Sequence, residues 1–289
     1  MRKLGLLLAT MGILSVGAYA APKLEVTSIG QELEYEHEND ANKSDIKLFT
    51  TVNLKYDDWT FAIQGGKFWL DGNGREDAKG NKSKKGLSSN NGRLQLDVWK
   101  SINSNIKLGY RYRGEKDMDR HYARYAYQKD LFRSSADVWF ESKNGHGNNQ
   151  IRMELFPVGV QYKGFAAKWF VAYDRTIDAA ENGQKSYYEH QIRLYAPLYS
   201  NDRFSLSTEG RFTLHSGKDM ENGAGYNYYK NFGRTRIYLR GNYKVSENFG
   251  LFGYYGYEFR SFKTKDGGSK PTVGDKNYQD IGLGWTYTF

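Results

Sequence analysis

Apolar and polar residues alternate along most of this chain with a period of two. Ile46, Leu48, Thr50, Val52, Leu54 and Tyr56 share one face of an extended stretch, and Lys47, Thr51, Asn53 and Lys55 share the other. The pattern returns at Leu94, Leu96 and Val98, at Ile106, Leu108, Tyr110 and Tyr112, and at Phe165, Ala167, Trp169, Val171 and Tyr173. It closes the chain at Ile281, Leu283, Trp285, Tyr287 and Phe289, with Asp280, Gly282, Gly284, Thr286 and Thr288 between them. Only a strand template fits all of these stretches. It predicts fourteen strands, over residues 24–36, 45–56, 59–69, 92–100, 106–113, 120–127, 133–142, 150–162, 165–175, 187–196, 203–213, 234–245, 249–260 and 277–289. The fourth is short, the sixth (HYARYAYQ) shows no clean face, and Pro157 in the eighth implies a bulge or an edge-like irregularity.

The connections sort by parity. Long ones (37–44, 71–91, 114–119, 143–149, 176–186, 214–233 and 261–276) alternate with short ones (57–58, 101–105, 128–132, 163–164, 197–202 and 246–248). Short turns on one rim and long loops on the other describe a transmembrane barrel, and a β-sandwich has no reason to sort its turns this way. The expected fold is therefore all-β, a closed antiparallel transmembrane barrel of about fourteen strands with short periplasmic turns and long extracellular loops. In lipid every backbone group must be paired within the sheet, so the last strand is expected to pair with the first. Trp59, Trp69, Tyr110, Tyr112, Trp169, Tyr257, Trp285 and Tyr287 lie near predicted strand ends on apolar faces, where two aromatic girdles belong.

A barrel of this kind must be exported, and residues 1–20, MRKLGLLLATMGILSVGAYA, carry the signature. Arg2 and Lys3 precede an uncharged apolar run, and Ala18-Tyr19-Ala20 offers a cleavage site. We expect a signal peptide at 1–20 and one barrel domain at 21–289, located in a Gram-negative outer membrane. Without Arg2 and Lys3, 40 basic residues face 33 acidic ones, a net charge near +7. For an exported chain this favours anionic solutes and lipid headgroups over nucleic acid. Outer-membrane lipid and lipopolysaccharide are the expected surroundings. The chain has no cysteine, hence neither disulfides nor thiolate sites. Mean hydropathy is −0.77, compatible with a barrel because alternating faces cancel in any average.

The polar face carries the candidate chemistry. A fourteen-strand barrel is too wide for side chains to fill, so water occupies it. Charges on the lipid face would cost about 2–4 kcal/mol each at mid-membrane, which turns them inward. On the fourth to sixth strands these are Arg93, Asp97, Arg111, Arg113 and Arg124. The eighth to eleventh contribute Arg152, Glu154, Asp174, Glu189, Arg193, Glu209 and Arg211, and the next two Arg236, Arg240, Glu258 and Arg260. Rows of like charge bias which ions enter a pore, and arginine suits carboxylate, sulfate or phosphate. The arginine excess predicts a mild anion preference, although neighbouring Arg and Glu also pair simply to line a solvated wall. His215 leads from an inward face into the predicted 214–233 loop, where its protonation near pH 6 could gate the pore. His190, on an apolar face near a strand end, reads as interfacial.

Several stretches resemble the monomeric fourteen-stranded outer-membrane porin G family. HQIRLYAPL (His190–Leu198), a strand ending in a proline-containing turn, matches it most closely. PVGVQYKGFAAKWFVAYDR (157–175), RTRIYLRGNYKVSENFGLFGYYGYEFR (234–260) and YQDIGLGWTYTF (278–289) are similar in spacing. The resemblance covers roughly the C-terminal half and implies a single-chain, weakly selective channel for small hydrophilic solutes such as sugars and oligosaccharides. The twelve-stranded acidic-sugar porins, with shorter chains and a strongly basic lumen, are the nearest rival family.

Other classes fit less well. An enzyme on a strand needs nucleophile and base on one face, and Thr213, two residues before His215, is the only aliphatic hydroxyl so placed; there is no Gly-x-Ser-x-Gly elbow. We expect no enzyme. The sequence also offers no metal constellation, phosphate-cradling loop or haem motif, so no cofactor or metal is expected. An adhesin reading would use the lysine-rich loops 71–91, 214–233 and 261–276.

Overall fold

The computed structural model describes residues 23–39, 41–76, 80–180, 183–221, 227–229, 231–261, 263–264 and 276–289. The expected signal peptide, residues 1–20, lies outside the described residues. The chain forms β1 (Glu25–Glu38), β2 (Lys43–Tyr56), β3 (Trp59–Gly72), β4 (Gly86–Ser101), β5 (Ile106–Glu115), β6 (Met118–Lys129), β7 (Phe132–Ser142) and β8 (Gln150–Tyr162). These are followed by β9 (Phe165–Thr176), β10 (Gln184–Ser200), β11 (Phe204–Met220), β12 (Asn227–Tyr228), β13 (Arg234–Lys244), β14 (Phe249–Arg260), β15 (Lys263–Thr264) and β16 (Lys276–Thr288). The two-residue strands β12 and β15 pair with each other and link two of the long connections. The other fourteen strands close into one antiparallel barrel, each beside its neighbour in sequence.

Closure runs through β1 and β16. Eleven residue pairs join them, from Ser28 opposite Thr288 to Glu38 opposite Tyr278. Beyond the strand, the Phe289 amide donates to the Thr27 carbonyl at 3.1 Å. No strand edge in the ring is left unpaired, which is what a sheet surrounded by hydrocarbon requires.

The outer face is apolar. Leu33, Leu94, Leu108, Ile151, Val160, Leu194, Ile237 and Leu283 all stand exposed there, Leu283 at 63% of its free surface. An aqueous protein rarely leaves so continuous an apolar surface in water. The surface faces lipid, and the barrel is an outer-membrane barrel. Towards the rims, rings gather: Trp59 stacks on Phe61 at 6.4 Å, Tyr257 meets Phe259 edge-on at 4.7 Å, and Tyr287 meets Phe289 at 5.1 Å.

The strands depart from expectation chiefly at the long-loop rim, where they are longer, but β10 also runs on through Pro197 to Ser200, where the sequence predicts a turn over 197–202. β4 begins at Gly86 rather than residue 92, β10 at Gln184 rather than 187, and β11 runs on to Met220 rather than 213. Segments such as Leu87–Asn91 stand above the lipid, where neither face needs to be apolar, so the period of two fades although the ladder continues. Pro157 lies within a register shift between Leu155 and Gly159, as its missing amide demands.

Candidate functional site: the inner wall of the barrel

The inner wall of β4, β5 and β6 is built around Asp97. Arg111 Nε donates to Asp97 Oδ1 at 2.7 Å and Arg124 Nη1 to the same oxygen at 2.5 Å. Arg124 Nε also reaches Asp137 Oδ1 of β7 at 2.9 Å. Gln95 acts as a relay: its Nε2 donates to Asp97 Oδ2 at 2.7 Å, and its Oε1 accepts from Arg113 Nε at 2.8 Å. Arg93 closes the upper end on Glu115 at 2.8 Å. Four of the residues expected to face inward, Asp97, Arg111, Arg113 and Arg124, thus lie in one network and Arg93 in a neighbouring pair, with Gln95, Glu115 and Asp137 as members that charge patterning alone did not single out.

A second node is Glu141 of β7, fully buried. Arg120 Nε donates to its Oε2 at 2.5 Å, Arg152 Nη1 reaches it at 3.3 Å, and Lys143 pairs with its Oε1. Arg152 then bridges to Asp174 of β9 at 2.9 Å. Further round, Glu189 accepts from Thr213 Oγ1 at 2.6 Å, Tyr187 at 2.7 Å, Gln191 Nε2 at 2.7 Å and Arg234 at 3.0 Å. Glu209 takes Arg211 at 2.6 Å and Arg240 at 3.1 Å. Glu258 takes Arg236 at 2.5 Å, Arg234 at 3.2 Å, and Arg260. Glu154 and Arg193 share a recess of about 290 Å³ with Phe170, Asp174, Glu189 and Arg236.

One acidic stretch was not singled out in the sequence. Glu32, Glu34, Glu36 and Glu38 of β1 all turn inward, joined by Asp280 of β16. The segment QELEYEHE alternates glutamate with Leu33, Tyr35 and His37, so the signal was present in the same period of two. Lys47 bonds Glu34 at 2.6 Å and also Glu36. The oxygens of Glu34, Glu36 and Asp280 come within 4.8 Å of one another, but the Lys47 ammonium already serves the two glutamates as their cation.

The wall also carries rings, which an inner face read as polar does not anticipate. Tyr122 stacks on Trp139 at 4.9 Å, and Phe49, Phe68, Phe170 and Tyr238 are likewise buried elsewhere round the wall. Each lies beneath a cation: Arg93 over Phe49 and Phe68 at 5.1 and 5.0 Å, Arg152 over Trp139 at 5.4 Å, Arg193 over Phe170 at 3.6 Å, and Arg240 over Tyr238 at 4.5 Å. The rings fill space against the wall and prop the guanidinium groups into the lumen. HYARYAYQ is explained by the same arrangement: Arg120, Tyr122 and Arg124 face inward, and His121, Ala123 and Tyr125 outward.

His215 requires a correction. It sits within β11, beyond a register shift that separates His190–His215 from Gln191–Thr213. The extra residue turns His215 outward onto Tyr188, ring to ring at 5.3 Å, while Thr213 stays inward and fully buried. A β-bulge re-aims the side chain after it, so the ring is on the outer face and not in a loop over the pore. The same shift separates Thr213 from His215 as a catalytic pair.

No family model matches the chain, and no curated protein matches it. Solved structures with similar folds include a bacterial polysaccharide outer membrane secretin (TM-score 0.51, 11% identity, 90% of this chain and 98% of that one). Others are OmpT from Vibrio cholerae (TM-score 0.48, 12% identity, 95% and 100%) and an anion-selective porin from Comamonas acidovorans (TM-score 0.44, 10% identity, 92% and 100%). At such identities the likeness concerns the fold, which is that of an outer-membrane β-barrel.

Proposed function

We propose that this protein is a porin: a water-filled channel through which small hydrophilic solutes, sugars, oligosaccharides and ions, diffuse passively. We further propose that it works as a single chain of the porin G type. The observation that carries this reading is the contrast between the two faces of one closed sheet. Outside, leucine, isoleucine and valine meet lipid; inside, every strand from β4 to β11 brings charged or amide side chains to the wall. A ring of fourteen strands is wide enough to leave water along its axis. Interlocked ion pairs suit a weakly selective wall, because their charges largely cancel over a Debye length of about 8 Å at physiological salt.

The test is single-channel recording of the refolded protein in a planar bilayer under a salt gradient. Unitary current steps, with a reversal potential modestly displaced towards anions, are the expected outcome. Heat-modifiable, fully folded protein that gives no steps would refute the channel, and a cation-side reversal potential would refute the anion preference alone.

A further inference from the structure

Four cations stand abreast on the inner wall. In the ladder register Lys168 of β9 lies opposite Arg193 of β10, Arg193 opposite Arg211 of β11, and Arg211 opposite Arg236 of β13. Directly opposed residues have their Cβ atoms about 4.5–5.5 Å apart, and like charges so placed repel. Half of the row is neutralised from within, Arg211 by Glu209 at 2.6 Å and Arg236 by Glu258 at 2.5 Å. Among the described residues, neither Lys168 nor Arg193 has a carboxylate within 4.0 Å.

What holds these two cations in place is neutral. Arg193 Nε donates to the amide oxygen of Gln191 at 2.9 Å, and the guanidinium lies 3.6 Å from the centre of the Phe170 ring. Lys168 lies over Phe156 and Tyr195 at 5.5 and 5.1 Å. A side chain at Gly159, opposite Lys168, would bring Cβ to 2.8 Å from Lys168 Cγ, so the glycine leaves room for the lysine stem. Gln191 spends its own Nε2 on Glu189 at 2.7 Å, which fixes its oxygen towards Arg193. The arginine is thus oriented without a direct ion pair, Glu154 in the same recess and Glu209 acting on it only from beyond 4.0 Å. Both cations open onto lumen space: Arg193 lines the recess of about 290 Å³, and Lys168 with Phe156 lines one of about 430 Å³.

We propose that Lys168 and Arg193 form a binding site for the oxyanion of a passing solute, a carboxylate, sulfate or phosphate group that bridges the two. This inference rests on the channel reading and sharpens its substrate class. The guanidinium offers a planar fork to two oxygens and the ammonium a point charge to the third face of the same group. Binding removes the repulsion between neighbours, so the anion is held better here than at pairs already saturated by Glu209 or Glu258.

The test is interruption of single-channel chloride current by D-galacturonate, galactose and inorganic phosphate. Galacturonate and phosphate should block, and galactose, the same ring without charge, should not. Equal block by phosphate assigns the site to any oxyanion, whereas block by galacturonate alone assigns it to a carboxylated sugar. Lys168→Gln and Arg193→Gln should each raise the half-blocking concentration about tenfold, as loss of one charge-assisted contact does. Arg193→Lys should raise it less. Gln191→Glu, which hands Arg193 a carboxylate of its own, should weaken block without removing any cation, and gives the same readout should a glutamine variant fail to fold. Unchanged half-blocking concentrations, or block by galactose, would overturn the site while leaving the channel standing; absence of current from the unmodified protein would overturn both.

Discussion

Tyr238 on β13 donates its hydroxyl to Asp280 Oδ2 on β16 at 2.6 Å, passing over β14 between them. Gly256 of β14 makes the passage open, since a Cβ there would stand 2.3 Å from the Tyr238 ring. The arrangement repeats one strand on. Tyr254 of β14 lies over Gly282 of β16, where a Cβ would meet the ring at 2.2 Å, and its hydroxyl reaches Glu32 of β1 at 3.0 Å. Two tyrosines thus strap four successive strands together across the seam where the barrel closes.

Replacing either glycine should loosen that strap. Gly256→Val and Gly282→Val are expected to cost about 1–3 kcal/mol each through overpacking, read as a lower urea midpoint in detergent. Gly65→Ala is the comparison, because no atom lies within 4 Å of its added Cβ. Equal losses at all three positions would show that the strap contributes nothing of its own.

Glu141 collects Arg120, Arg152 and Lys143 while being fully buried. Glu141→Gln keeps the shape but leaves Arg120 and Lys143 without a carboxylate, while Arg152 keeps Asp174, with an expected loss of about 3–5 kcal/mol, as for a buried ion pair that loses one partner. The freed charge should also move the reversal potential further towards anions. Stability lost without any change in selectivity would mean that the released cations stay against the wall.

The acidic stretch of β1 predicts a salt-dependent selectivity. Glu32→Gln, Glu34→Gln and Glu36→Gln combined should increase anion preference at 0.1 M salt, where the Debye length is about 10 Å, and much less at 1 M, where it is about 3 Å. Reversal potentials at the two concentrations decide the matter: a shift of equal size in both would point to altered pore shape rather than to charge.

How much of this was legible in the sequence follows from the lipid. Between the girdles, the cost of exposing charge imposes a period of two, so strand number, sidedness and the inward turn of Arg111 or Glu258 could be read directly. Above the lipid the constraint lapses, and the upper reaches of β4, β10 and β11 carry no alternation to find. His215 failed for a local reason, since one inserted residue in β11 reverses the side to which everything beyond it points. The rings beneath the arginines were hidden by the same rule that revealed the strands. Alternation separates inside from outside but not wet from covered, and Tyr122 or Phe170 counts as inward either way.

Two adjacent residues of β3 test that sidedness most directly. Ala62 lies opposite Asp97 in the ladder, on the inner wall, whereas Ile63 lies between Val52 and Leu96 on the outer face. Ile63→Arg should cost about 2–4 kcal/mol at mid-membrane and lower the yield of heat-modifiable protein in lipid vesicles. Ala62→Arg adds the same side chain one position away and meets a carboxylate across the strand. It should fold nearly as well as the unmodified chain and displace the reversal potential towards anions. Were both substitutions tolerated alike, the outer face would not be in contact with lipid at this depth, and the assignment of inside and outside along β3 would have to be abandoned.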